Sequence, residues 1–149
     1  MLIRTHLAIT LFFVLALISK VEHQFIFVIV ALIATFIPDV DARYSNLGRK
    51  KISRVLQFFT SHRGFIHSFT FLILLTMIFL FFIPIIALPF FLGYSLHLLA
   101  DSFTKEGIQP FYPIKNKSSG VIETGGRTEF FIFASIVFVD LLFFYSIIR

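Results

Sequence analysis

The stretch FIHSFTFLILLTMIFLFFIPIIALPFFLGYSLHLLAD, residues 65–101, decides the fold. Two apolar runs, Phe65 to Ile83 and Ile85 to Leu99, flank Pro84, and no charged residue interrupts them. Proline removes a backbone donor and breaks a helix interior. The expectation is therefore two helices that turn near Pro84, with Pro89 in the first turns of the second. Such a turn returns the chain to the side it came from. His67 at one end then lies at the same membrane face as His97 and Asp101 at the other.

Outward from this hairpin, three more apolar runs follow the same logic: Leu2 to Ile18, Phe25 to Ile37 and Phe130 to Ile148. A helix needs roughly 20 apolar residues to cross about 30 Å of hydrocarbon. The third and fifth runs satisfy this. The first, second and fourth are short, and span by snorkelling of flanking residues or local thinning of the bilayer; a re-entrant hairpin is the alternative for the first two. The fold class expected is all-α, a polytopic membrane helix bundle of about five transmembrane helices in a single membrane-embedded domain, residues 1–149.

Composition agrees. Of 149 residues, 58% are hydrophobic and 14% charged, and 23 are Phe. A soluble domain of this size has too much surface to hide that apolar content. With no Cys there is no disulfide framework and no thiolate metal site. The first run is read as a retained helix, since no small-x-small cleavage site follows it.

The net charge of +5 points to topology and not to nucleic acid. Basic residues crowd into cytoplasmic loops. With five helices and a cytoplasmic N-terminus, Arg4, the loop from Pro38 to Gly64 and the loop from Lys105 to Thr128 all lie inside. They hold 11 of the 13 Lys and Arg. In the first loop Ile52, Val55, Leu56 and Phe59 recur at helical spacing opposite Lys50, Lys51 and Arg54. This suits a short interfacial helix on membrane lipid, or a charged loop that only fixes topology. In the second, turn residues around Val121-Ile122-Glu123 suit a small hairpin or lid. Thr128 is the expected N-cap of the last helix, with Glu129 at its positive end.

This topology collects the ionisable residues. His6 starts the first helix, Asp39 and Asp41 follow the second, His62 and His67 flank the start of the third, and His97 and Asp101 end the fourth. Four of five histidines and three of four aspartates meet one face. His97 and Asp101, four apart, share a helix face. Gly93 lies one turn earlier on it, leaving space for a neighbouring helix or a substrate. In an extended segment Asp39 and Asp41 point to opposite sides. Imidazole and carboxylate donors suit a divalent metal such as zinc or manganese. Seven candidates exceed the three or four ligands of one catalytic zinc, so two ions are a natural way to use them. A two-metal site binds attacking and leaving oxygens in phosphoester hydrolysis. Arg63 is a candidate for neutralising a substrate phosphate, or is one more topological charge. Asp140, inside the last helix, is the odd charge; Tyr94 or Ser95 is a candidate partner.

The residues Thr5-His6, Pro38-Asp39-Val40-Asp41, His62-Arg63-Gly64-Phe65-Ile66-His67-Ser68 and Gly93 through His97-Leu98-Leu99-Ala100-Asp101 carry a resemblance. Thr104, Gly107, Phe111-Tyr112-Pro113 and Thr124-Gly125-Gly126 extend it. Together the chain resembles the YdjM-like family of inner-membrane metal-dependent hydrolases. The resemblance implies a multi-helix protein of a bacterial or archaeal inner membrane with a His/Asp metal centre. It implies hydrolytic chemistry; from the residues themselves, a small-molecule or lipid-like substrate is expected, with Asp39 and Arg63 as the catalytic candidates. The alternatives are a non-catalytic membrane scaffold or regulator with a structural metal, and metal transport. The clustering at one face, with no polar path across, speaks against transport.

Overall fold

Pro84 sets the architecture. In the computed structural model, which describes residues 1–41 and 65–149, it ends one helix and opens the next at its N-terminal turn, where a missing N–H leaves nothing unsatisfied. Five α-helices follow one another among the described residues: α1 Ile3–Leu17, α2 Gln24–Phe36, α3 Phe69–Phe82, α4 Pro84–Ser102 and α5 Arg127–Ile148. Short 3₁₀ turns, Ile18–Lys20 and Ile37–Asp41, extend α1 and α2. No strand is present among the described residues.

Helix lengths differ from expectation. Among the described residues three helices are long and apolar enough to cross a membrane: Ile3–Lys20, Pro84–Ser102 and Arg127–Ile147. The third apolar run, expected to span with ease, forms only the 14-residue α3. Ser68 caps it at one end by accepting a hydrogen bond from the Phe71 N–H, and Pro84 stops it at the other. The fourth run, expected to be short, is 19 residues long. It gains about a turn because Pro84 opens the helix and Ala100–Ser102 continue it past Leu99. Pro89 is tolerated inside it.

Helix α4 is the centre of the bundle. It packs on α1, α2 and α3, whereas among the described elements α5 packs on α1 alone. One apolar core joins Leu72, Phe90, Tyr94 and Leu98 between α3 and α4. A second joins Val14, Phe27 and Ala31 between α1 and α2. Helices α2 and α4 approach closely at Gly93. A Cβ built on Gly93 would stand 2.0 Å from the Ala31 carbonyl oxygen. Of the two uses open for the missing side chain, a neighbouring helix fills the space.

The segment 103–126 is neither a simple hairpin nor a free loop. The expected turn around Val121–Glu123 instead pairs with the residues that leave α4. Ile108 and Ser118 exchange two hydrogen bonds of 2.9 Å, and Thr104 is bridged to Ile122. Gly107, at φ 60°, supplies the left-handed turn this needs. The Pro110 carbonyl accepts from the Phe69 N–H at 2.8 Å, which fastens the segment to the start of α3. Gly126, not Thr128, is the N-cap of α5. The interfacial helix expected at Ile52–Phe59 lies outside the described residues.

Candidate metal centre

The helix ends that carry the ionisable residues meet. Helices α2 and α4 both finish at this end of the bundle, and α1, α3 and α5 all start there. His6 is in the first turns of α1, Asp39 in the turn after α2, His67 just before α3, and His97 and Asp101 in the last turns of α4. Among the described residues two groups of side chains have ligand atoms all within 4.8 Å of one another: His6, His97 and Asp101, and Asp39, His67 and His97.

His97 belongs to both. Its ring lies parallel to that of His6, with centroids 4.0 Å apart and an interplanar angle of 10°, and edge-on to His67 at 5.6 Å. His97 Nδ1 stands 2.8 Å from the Thr35 carbonyl oxygen. A carbonyl only accepts, so Nδ1 carries the hydrogen. The other nitrogen, Nε2, then faces Asp39 Oδ1 and Asp101 Oδ2, each at 3.8 Å. It is buried and makes no hydrogen bond.

The remaining contacts follow the same pattern. His6 Nε2 is 3.2 Å from Asp101 Oδ1, and His67 Nε2 is 3.6 Å from Asp39 Oδ1. The Met1 ammonium also donates to Asp101 Oδ1. The side chains of His6, His67, His97 and Asp101 are at most 3% exposed, whereas Asp39 is 39% exposed. The cluster therefore has one side open to solvent, and Asp39 forms it. Buried nitrogens and carboxylates in such numbers are costly unless a proton or cation compensates them.

A family model described as YdjM inner membrane protein matches residues 1–147. The chain belongs to the YdjM inner membrane protein family. The uncharacterized protein YvsG of Bacillus subtilis (strain 168) is 28% identical over 121 residues, which is 77% of this chain and 76% of that protein. No solved structure matches.

Five of the residues singled out in this YdjM-family sequence thus come together: His6, Asp39, His67, His97 and Asp101. His62 and Arg63 lie outside the described residues. Asp41 ends the 3₁₀ turn Ile37–Asp41. The backbone from Pro38 to Asp41 is therefore coiled and not extended. Tyr94 and Ser95 are not partners of Asp140. The Tyr94 hydroxyl donates to the Ile66 carbonyl at 2.6 Å, and Ser95 donates to the Leu92 carbonyl of its own helix. The Tyr94 bond has a use at the site, because it pins the backbone next to His67.

Two residues hold the cluster in ways the sequence reading did not give: Thr35 was not singled out, and Glu129 was read only as a favourable charge at the start of α5, where it does lie. Thr35 supplies the carbonyl for His97, while its hydroxyl donates to the Ala31 carbonyl and pairs with Thr10 at 2.9 Å. Glu129, 1% exposed, accepts from the Leu2 N–H, the Thr5 hydroxyl and the Gly125 N–H at 2.6–2.7 Å. It ties the first turn of α1 to the start of α5, and so fixes the strand of chain that carries His6. A signal for Thr35 was present: Ala31, Thr35 and Asp39 repeat every four residues, in step with Gly93, His97 and Asp101 on the parallel neighbour.

Proposed function

We propose that the buried His/Asp cluster binds a divalent metal ion, zinc or manganese, and that the protein is a metal-dependent hydrolase working at the cytoplasmic face of the inner membrane. The observation that carries this is the state of His97. Its Nδ1–H is held by a backbone carbonyl, the arrangement that orients a metal-ligating imidazole. Its buried Nε2 lone pair points at two carboxylates and has no hydrogen bond. A cation between them would relieve both the repulsion and the missing partner.

The donor set is nitrogen and oxygen only, which fits zinc and manganese. His6, His67, His97, Asp39 and Asp101 would hold the ion or orient its ligands; Asp41 and His62 complete the proposed set from sequence. A bound divalent ion supplies Lewis acidity, polarising a phosphoryl or carbonyl oxygen and making water a better nucleophile. The half-exposed Asp39 carboxylate is the group placed to accept a proton from an incoming water. Arg63 is proposed to pair with a substrate phosphate. Exit of the site at the membrane face favours a phosphoester or lipid-like substrate, and the concentration of Lys and Arg at this end favours a cytoplasmic orientation.

A structural metal is the second reading, favoured by the burial of four of the five side chains; an open coordination position separates the two. Metal analysis of protein purified in detergent is the test. Near-stoichiometric zinc or manganese is expected, with loss in His97→Ala and Asp101→Ala variants that still insert in the membrane. Full retention in both would defeat the ligand assignment. A phosphatase and phosphodiesterase screen of metal-loaded protein then separates the readings. Turnover that disappears in Asp39→Asn with metal retained supports hydrolysis, and inactivity across the screen supports the structural role.

A further inference from the structure

A second polar anomaly lies on the other side of α1. Asp140 sits roughly 20 Å along α5 from Arg127, within the hydrocarbon span. It is 5% exposed, and neither carboxylate oxygen has a hydrogen-bond partner. A carboxyl group in a transmembrane helix is costly and marks a functional position by default. Here it lines a groove of about 670 Å³ between α1, α2 and α5, whose other walls are almost wholly apolar, with Leu11, Val14, Val137 and Phe144 among them. That volume lies in the range of small-molecule sites.

The groove is separate from the metal centre. His6 turns toward His97 on α4, while Arg4 turns toward α5. Among the described residues Arg4 is the one other charged residue lining the groove. Its guanidinium lies 5.3 Å over the Phe133 ring, two helical turns or roughly 10 Å from Asp140 along α5. It marks the rim and leaves the deep carboxyl group without a counter-charge.

We propose that this groove binds a lipophilic cation, an amphiphile whose charged head pairs with Asp140 and whose apolar body lies along Leu11, Val14, Val137 and Phe144. An acyl chain or any neutral hydrocarbon would fill the volume but leave the carboxyl group without a partner in a medium that offers none. A hydrophobic anion would meet a like charge. A cation with an apolar body satisfies both the walls and the carboxylate.

The test is equilibrium dialysis of tetraphenylphosphonium against the purified full chain in a neutral detergent. Saturable binding near one per chain is expected. Asp140→Asn should weaken it at least about tenfold, the lower end of measured coupling for close charge pairs. Leu11→Trp, which fills the groove and keeps the carboxylate, should weaken it as well, and decides the matter where Asp140→Asn does not fold. Tetraphenylborate, of the same shape and opposite charge, should show only unsaturable partition. Equal phosphonium binding by folded wild type and variants, or saturable binding of the borate, would overturn the proposal. Metal content, measured on the same samples, should be the same in all, so failure here is distinguishable from failure of the metal centre.

Discussion

Replacing Gly93 with alanine tests how the bundle aims His97. The added methyl would stand 2.0 Å from the Ala31 carbonyl oxygen and 2.9 Å from its carbon, against the 3.4 Å at which ordinary contact begins. Both atoms are backbone, so no side chain can swing aside. Helices α2 and α4 must part by about 1.4 Å at this level. One turn farther along both helices lies the 2.8 Å bond from His97 Nδ1 to the Thr35 carbonyl. The same separation there stretches it past 4 Å, beyond hydrogen-bonding range. Overpacking of this kind costs about 1–3 kcal/mol, which lowers Tm by about 3–10 °C in a protein of this size. The expected result for Gly93→Ala is that loss of thermal stability, together with metal content well below wild type. Scanning fluorimetry and metal analysis on detergent-purified protein read both. Ser95→Ala serves as the control, since its hydroxyl bonds only within its own helix. A Gly93→Ala protein with wild-type Tm and metal content would refute the claim that close helix contact positions His97.

Three other outcomes follow. Thr35→Val should lower stability by about 1–3 kcal/mol by leaving the buried Thr10 hydroxyl unpaired. Metal content should be unchanged, because the backbone carbonyl that holds His97 survives; a parallel loss of metal would show that the hydroxyl matters in its own right. Glu129→Ala should destabilise by about 2–3 kcal/mol, since three donors lose a buried carboxylate. Hydrogen exchange should rise at residues 2–6 and 124–128, and unchanged exchange there would argue against the clamp. Glu123 is held below its ordinary carboxylate range by the hydrogen bond and charge of Lys105. Any stability from that pair is present at neutral pH and is lost as pH falls through the range where the carboxylate protonates. Both partners are exposed and salt-screened, so Glu123→Gln should match wild type in Tm at pH 7, and a clear drop would mean that segment 103–126 depends on the pair.

The bundle and the gathering of His6, Asp39, His67, His97 and Asp101 were legible because they rest on coarse signals. Apolar run length and one proline decide how often the chain turns, and parity then decides which ends meet. Helix boundaries were less legible because local capping overrides apolar length. Ser68 starts α3 four residues inside its hydrophobic run, and the residues after Leu99 stay helical because α1, α2 and α3 pack around α4. Segment 103–126 was misjudged for a related reason. Its partner is the chain leaving α4, and a turn signature at Val121–Glu123 says nothing about a pairing more than ten residues away. The partner of Asp140 was sought on α4, the helix with nearby hydroxyls, but among the described elements α5 packs on α1 alone. A sequence pattern marks which face of a helix is polar; it does not say which neighbour that face meets.

The shared position of His97 constrains what the proposed centre can be. Both ligand groups, His6–His97–Asp101 and Asp39–His67–His97, need the same imidazole. Only Nε2 is open, since Nδ1 is committed to Thr35. One lone pair serves one ion. A single ion at Nε2 would draw its further ligands from both groups, with buried Asp101 on one side and half-exposed Asp39 on the other. A pair of ions would have to be unequal, one bound through His97 and the other through a bridging carboxylate. The seven candidates counted along the sequence suggested two ions; the fold, by committing one nitrogen to a backbone carbonyl, favours one ion or an asymmetric pair.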